Sequence, residues 1–238
     1  MPSSRLLERD EKGIAMTRVF FPGCKVKARY PEASKWLAEQ VISRGYADEV
    51  TGCCRVKHQD LTPDDTAVCI CNNCMAMIDE DANNGALENI WVAIDNDPDF
   101  PLPDYSGRTM GVQDCGRAYD RAEVQDAVRS LLRKMGIDVV ELPDARDKST
   151  FCGESFLKAA PKQDAGFAPV RYVEDAAKRG IFVPHEPDEI QKALDEHAAA
   201  IETDEVACYC TACDAGLEAG GVNAHNLIEL ISGKFRAE

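Results

Sequence analysis

From Met16 onward, short apolar runs alternate along the chain with stretches in which apolar residues return every three or four positions. TRVFF, directly after Met16, predicts a strand. From Pro31, the residues Ala33, Trp36, Leu37 and Val41 keep helical spacing, with proline in the first turn and Gly45 just past the end. DTAVCI, before Cys71, predicts a short strand, NNCMAMIDEDA a turn into a helix, and NIWVAI another buried strand. Pro98, Pro101 and Pro103 then break the pattern in DNDPDFPLPDYSG, the best linker candidate.

After it the order recurs. TMGVQ predicts a strand leading to Cys115, followed by a helix with Val124, Ala127, Val128, Leu131, Leu132 and Met135 on one face and Gly136 closing it. IDVVEL predicts a strand. Two helix-like stretches, 170–179 and 188–201, precede the strand EVAC, the turn and helix TACDAGLEAG, and a last strand–helix pair in VNAHNLIELI. This alternation predicts an α/β fold of two repeated cysteine-rich units with largely parallel sheets. The expected division is a flexible extension over 1–15, a first unit over 16–97, a linker over 98–107 and a second unit over 108–238.

The chain has eleven cysteines and only four histidines, and aligning the cysteines exposes the repeat. VCICNNCMA and VACYCTACDA each place Cys-x-Cys-x-x-Cys where a strand runs into a helix, so Cys69, Cys71 and Cys74 match Cys208, Cys210 and Cys213. Cys24 and Cys115 each follow a strand and precede a helix. Between these landmarks stand the pair Cys53 and Cys54 in the first half and Cys152 in the second, which carries about one extra helical pair before Cys210.

Composition narrows the use of these thiols. A formal charge of −15 does not suit a phosphate backbone, so nucleic acid is not an expected partner. No apolar run approaches the length of a membrane span, and MPSSRLLERDEKGIAM has no apolar segment of the kind that exports a chain. A cytoplasmic location is therefore expected. There, an odd number of cysteines reads as reduced thiolates serving as metal ligands or redox groups. Each unit should gather them from separate element ends at the C-terminal edge of its sheet, where α/β proteins place their ligands. A zinc ion takes four ligands, and the first unit offers five. Adjacent Cys53 and Cys54 point apart, which suits a cluster with more than one iron, and soft thiolates without histidine favour iron–sulfur over mixed zinc ligation.

At FFPGC, TGCC, CNNC, VQDCGRAYDR, STFCGES, CTAC and VNAHNLIELI the chain resembles the cysteine-rich CCG domain family, in which a lone cysteine, a CCG pair and a CxxC occur, usually twice. The family includes the B-type subunit of heterodisulfide reductase, and similar iron–sulfur subunits serve glycolate, lactate and glycerol-3-phosphate oxidation. The resemblance covers almost everything after Met16. It implies a noncubane 4Fe-4S cluster on Cys24, Cys53, Cys54, Cys71 and Cys74, with Cys53 and Cys54 at the catalytic position, cleaving a disulfide by adding electrons singly. Two departures stand out: Arg55 replaces the glycine after the pair, and Phe151 replaces the first cysteine of the second pair. Cys115, Cys152, Cys210 and Cys213 remain, four thiolates that match a cubane 4Fe-4S cluster acting as relay.

Cys69 and Cys208, inside short apolar strands, read mainly as buried structural cysteines, with a substitute-ligand role as the alternative. His58 could deliver a proton near the first set, against a reading as a solvated loop residue; His225 reads as a hydrogen-bonded edge or core histidine. Arg117, two residues past Cys115, is placed to offset cluster charge or hold an anionic substrate. Neither unit carries a nucleotide-binding glycine loop. Electrons are thus expected from a ferredoxin-type iron–sulfur subunit or a flavoprotein, steered by the acidic surface. The expectation is an oxidoreductase subunit acting on a small thiol or disulfide. The alternatives are a non-catalytic electron-transfer subunit of a 2-hydroxy-acid or glycerol-3-phosphate dehydrogenase system, and a structural zinc protein.

Overall fold

The computed structural model describes residues 16–236. The sequence reading of a flexible extension over 1–15 lies outside them. The fold is α/β, built on two four-stranded sheets in which every pairing is parallel. The first sheet holds β1 (Arg18–Phe21), β2 (Glu49–Val50), β3 (Thr66–Cys69) and β4 (Ala86–Asn89) in the order β2-β1-β3-β4. The second holds β5 (Thr109–Gln113), β6 (Asp138–Glu141), β7 (Glu205–Cys208) and β8 (Asn223–Asn226) in the order β6-β5-β7-β8. The topology is therefore the same in both. In each, the chain moves outward from the first strand in one direction and then in the other, opening a crevice beyond the strand ends.

Helices α1 (Cys24–Arg29), α2 (Pro31–Ser43), α3 (Cys54–Lys57), α4 (Asn72–Asp81) and α5 (Ile90–Asp95) belong to the first half. The second half has α6 (Ala122–Lys134), α7 (Lys162–Phe167), a π-helical turn over Val170–Glu174, α8 (Asp175–Arg179), α9 (Pro187–Ala199), α10 (Thr211–Ala219) and α11 (Leu227–Ser232). Helix α2 buries Ala33, Leu37 and Val41, the stripe its spacing predicts, and α6 buries Val124, Ala127, Val128, Leu131 and Leu132. Each Leu or Val removed fully from water in this way contributes ~1.5–3 kcal/mol. The left-handed turn after α6 falls on Gly136, at φ 77°.

NIWVAI is not a strand. β4 ends at Asn89, whose side chain accepts the backbone N–H of Trp91 and starts α5 at Ile90. Ile90, Trp91 and Ile94 are buried on that helix. A short all-apolar run satisfies either period, and the capping asparagine decides between them. Asn226 does the same for α11, accepting from Ile228 N–H.

The extra elements of the second half reach across to the first. Asp164 on α7, buried, receives Arg55 at 2.6 Å and 2.9 Å. Phe167 meets His58 edge-on at 4.8 Å between ring centroids. Glu80, on α4, accepts the N–H groups of Val170 and Arg171 at 2.8 Å and 3.0 Å. On the other side, the fully buried Asp214 on α10 is held by Arg29 at 2.6 Å, by Arg236 at 2.7 Å and by the Tyr30 hydroxyl.

Candidate metal centres

Most of the candidate ligand thiols stand where β-strands give way to helices. In the first half, Cys24 opens α1 after β1, Cys54 opens α3 after β2, and Cys71 caps α4 after β3, with Cys74 one turn in. In the second, Cys115 follows β5, Cys152 lies in the loop after β6, and Cys210 caps α10 after β7, with Cys213 one turn in. The matching strand orders put both sets in the crevice between the first and third strands of their sheets. All eleven cysteines are free thiols.

The second set is compact. The sulfurs of Cys115, Cys152, Cys210 and Cys213 all lie within 4.8 Å of one another, with Cys115 to Cys152 at 3.8 Å and Cys152 to Cys210 at 4.0 Å. Cys115, Cys152 and Cys213 are buried and Cys210 is half-buried. The Arg117 Nε points at the Cys152 sulfur from 3.3 Å. Contacts from Cys115, Cys210 and Cys213, aided by Arg117, hold the Cys152 thiol well below its ordinary range against the cost of burial. Cys115 and Cys213 are pushed up, chiefly by burial. Contact with Cys115 lowers Cys210 as well, and such a group of thiols is a donor set that can hold a metal ion, since ligation removes the remaining protons.

The first set is more open. Cys24 is exposed, Cys53 and Cys71 half-buried, Cys54 and Cys74 buried. Cys24 contacts Cys53, while Cys54 and Cys71 both contact Cys74. Contact with Cys74 lowers Cys71 to about 7, against the effect of burial and with help from the backbone N–H groups of Cys74 and Asn73 at the start of α4. Contact with Cys74 also lowers Cys54, and burial raises Cys24. The amide of Asn72, next to Cys71 in the chain, is buried with no protein partner at either polar atom. A buried amide without a protein partner, next in the chain to one of the thiols, leaves hydrogen-bonding capacity for a bound group.

A polar link joins the two sets. Arg117, bonded to Cys152, also donates to Asn73 Oδ1 at 3.1 Å, and Tyr172 donates to the same oxygen at 2.5 Å. The guanidinium lies 5.1–5.3 Å from the rings of Phe156, Tyr172 and Phe182, whose faces favour a cation. Arg117 is thus buried against the Cys152 sulfur, and its second contact, with the CNNC helix, had no sequence signal. Tyr172 and Asp164 were not read from the sequence because only the docking of the halves brings them to Asn73 and Arg55.

Cys69 and Cys208 are fully buried on β3 and β7, and burial raises both thiols far above their ordinary range. Cys208 lies 3.8 Å from Asn226 Nδ2. His58 is not a solvated loop residue: its side chain is buried, with Nδ1 2.5 Å from the Cys54 carbonyl and Nε2 2.7 Å from Asp81. His225, on β8, sits 3.1 Å from Arg108 and 3.4 Å from Glu205. Phe151, at the position of the missing cysteine, stacks on His197 at 3.8 Å, with planes 6° apart.

Among the described residues, no helix is long and apolar enough to cross a membrane. Comparisons with protein-family models, curated proteins and solved structures gave no match. Fold and site together define the class: an α/β protein of two parallel sheets, with a cysteine group that could hold a metal ion.

Proposed function

We propose that this chain is an iron–sulfur subunit of a heterodisulfide-reductase-like complex that reduces a small disulfide, or oxidises the corresponding thiols, at the first thiol set. The observation that carries this reading is the open state of that set: five unpaired thiols, with Cys24 exposed and Cys53 and Cys71 half-buried, and with Cys54 and Cys71 biased toward thiolate. Cys24, Cys53, Cys54, Cys71 and Cys74 would hold a noncubane 4Fe-4S cluster, with Cys53 and Cys54 nearest the chemistry. Bound there, such a cluster would supply one-electron steps to a sulfur substrate.

Reducing a disulfide breaks its S–S bond and takes up two electrons and two protons, leaving two thiols. The electrons would come from a ferredoxin-type subunit or a flavoprotein docked through acidic surface. A groove of about 470 Å³ runs between α1 and α10, lined in part by Lys25, Arg29, Glu154, Ser155 and Thr211. Its lining includes the residues that follow Cys24 and Cys210 in the chain. Arg55, close enough to Cys24 and Cys53 to feel their charge, would balance negative charge at the first set.

The test is iron and acid-labile sulfide on protein purified without oxygen, with electron paramagnetic resonance before and after adding a thiol or disulfide. A signal that responds to sulfur compounds in the wild type and vanishes in both Cys53→Ser and Cys54→Ser is expected. A signal indifferent to them, or kept in both variants, would overturn the reading.

A further inference from the structure

The spacing of the second thiol set has a meaning of its own. Four sulfurs around one ion form a tetrahedron, and with metal–sulfur bonds of about 2.3 Å its edges are about 3.8 Å. Cys115 to Cys152 is 3.8 Å, Cys152 to Cys210 is 4.0 Å, and no pair in the set exceeds 4.8 Å. In a cubane each thiolate binds a different iron, and the irons are held apart by bridging sulfides, so the thiolates must stand markedly farther from one another. The four-thiol set has the dimensions of a single ion.

Backbone contacts keep the segments that bear these thiols close together. Gly116 N–H donates to the Phe151 carbonyl at 2.9 Å, tying the segment after Cys115 to the segment before Cys152. Gly153 packs so tightly against α10 that a Cβ there would lie 2.1 Å from the Ala212 carbonyl oxygen, and one on Gly216 would lie 2.3 Å from the Gly153 Cα. The loop bearing Cys152 is thus pressed onto the helix bearing Cys213. Phe151 fills the place of a fifth ligand and is fixed by its stack on His197, while Arg117 closes the side next to Cys152. The sulfurs themselves stand at single-ion separations within this close-packed frame.

We infer that the second unit binds one tetrahedral metal ion through Cys115, Cys152, Cys210 and Cys213, and not a four-iron cluster. All-thiolate tetrahedral sites suit zinc or mononuclear iron. With zinc, the second unit is a redox-inert staple and all electron chemistry falls to the first set; with iron, it passes one electron at a time. The inference rests on the donor geometry and not on disulfide chemistry, so either can fail without the other.

The experiment uses the full chain carrying Cys53→Ser and Cys54→Ser together, purified without oxygen, so that metal retained is metal of the second set. One zinc or one iron per chain without acid-labile sulfide is expected, lost on adding Cys210→Ser. A zinc or iron reading identifies the ion. About four irons with matching sulfide would overturn the inference, and so would a second set that binds no metal. Should the double variant fail to fold, native mass spectrometry of the wild type makes the same count. It would find one ion beyond whatever the first set carries, against a further set of four irons and four sulfides.

Discussion

The two halves share strand order, capping asparagines and the placement of cysteines, yet their thiol sets differ in kind. The first is open, with Cys54 and Cys71 each touching Cys74 and the surface thiol Cys24 touching Cys53. The second draws four sulfurs together under Phe151 and Arg117. The same topology therefore makes either a reactive rim or a sealed knot, according to what surrounds the strand ends. In the second half a glycine pair lets the β6 loop sit directly on α10; in the first, Gly23 packs less closely, with a Cβ there 3.1 Å from the Cys71 Cβ.

That contrast can be broken by mutation. The largest effect is expected at Asp214→Asn, which leaves Arg29 and Arg236 facing a neutral group at the junction of α1 and α10. Removing one partner of a buried ion pair costs about 3–5 kcal/mol, and denaturant unfolding should register a loss of that order. A paired substitution then compares the two sets directly. Gly153→Ala collides with backbone that cannot yield and should cost at least about 1–3 kcal/mol, with loss of metal from the second set only. Gly23→Ala meets softer neighbours and should cost about 1–2 kcal/mol, mainly from its φ of 70°, with the first set still loaded. Metal lost from both sets in either variant, or from the first set in Gly23→Ala, would remove the distinction between rim and knot.

The smallest effect concerns pH. Burial lowers the His197 pKa from its ordinary 6.5, with the ring packed on Phe151. The unfolded chain therefore takes up the proton first, and stability is lost as pH falls below 6.5. His197→Phe keeps the stack and removes the titration, so its stability should fall less steeply between pH 7 and pH 5. Parallel curves for the two proteins would show that the ring does not titrate between states.

Much of this was legible in the chain. The α/β class follows from strand-like runs alternating with helical periodicity, and the repeat from two copies of Cys-x-Cys-x-x-Cys, because both are carried by local spacing. NIWVAI was misread because six apolar residues fit either period, although Asn89 before them, matching Asn226, was a signal for the helix.

The sequence alone determined which side chains could ligate and that they stand at strand ends, since element type and cysteine position are local properties. Only the tertiary structure decided how far apart the sulfurs stand, that His58 is sealed beneath Phe167, and that Arg117 reaches from Cys152 to Asn73. These depend on contacts between segments dozens of residues apart, whose distances are set by the fit of Gly153 on Gly216 and of α7 on α4 and not by anything periodic in the chain.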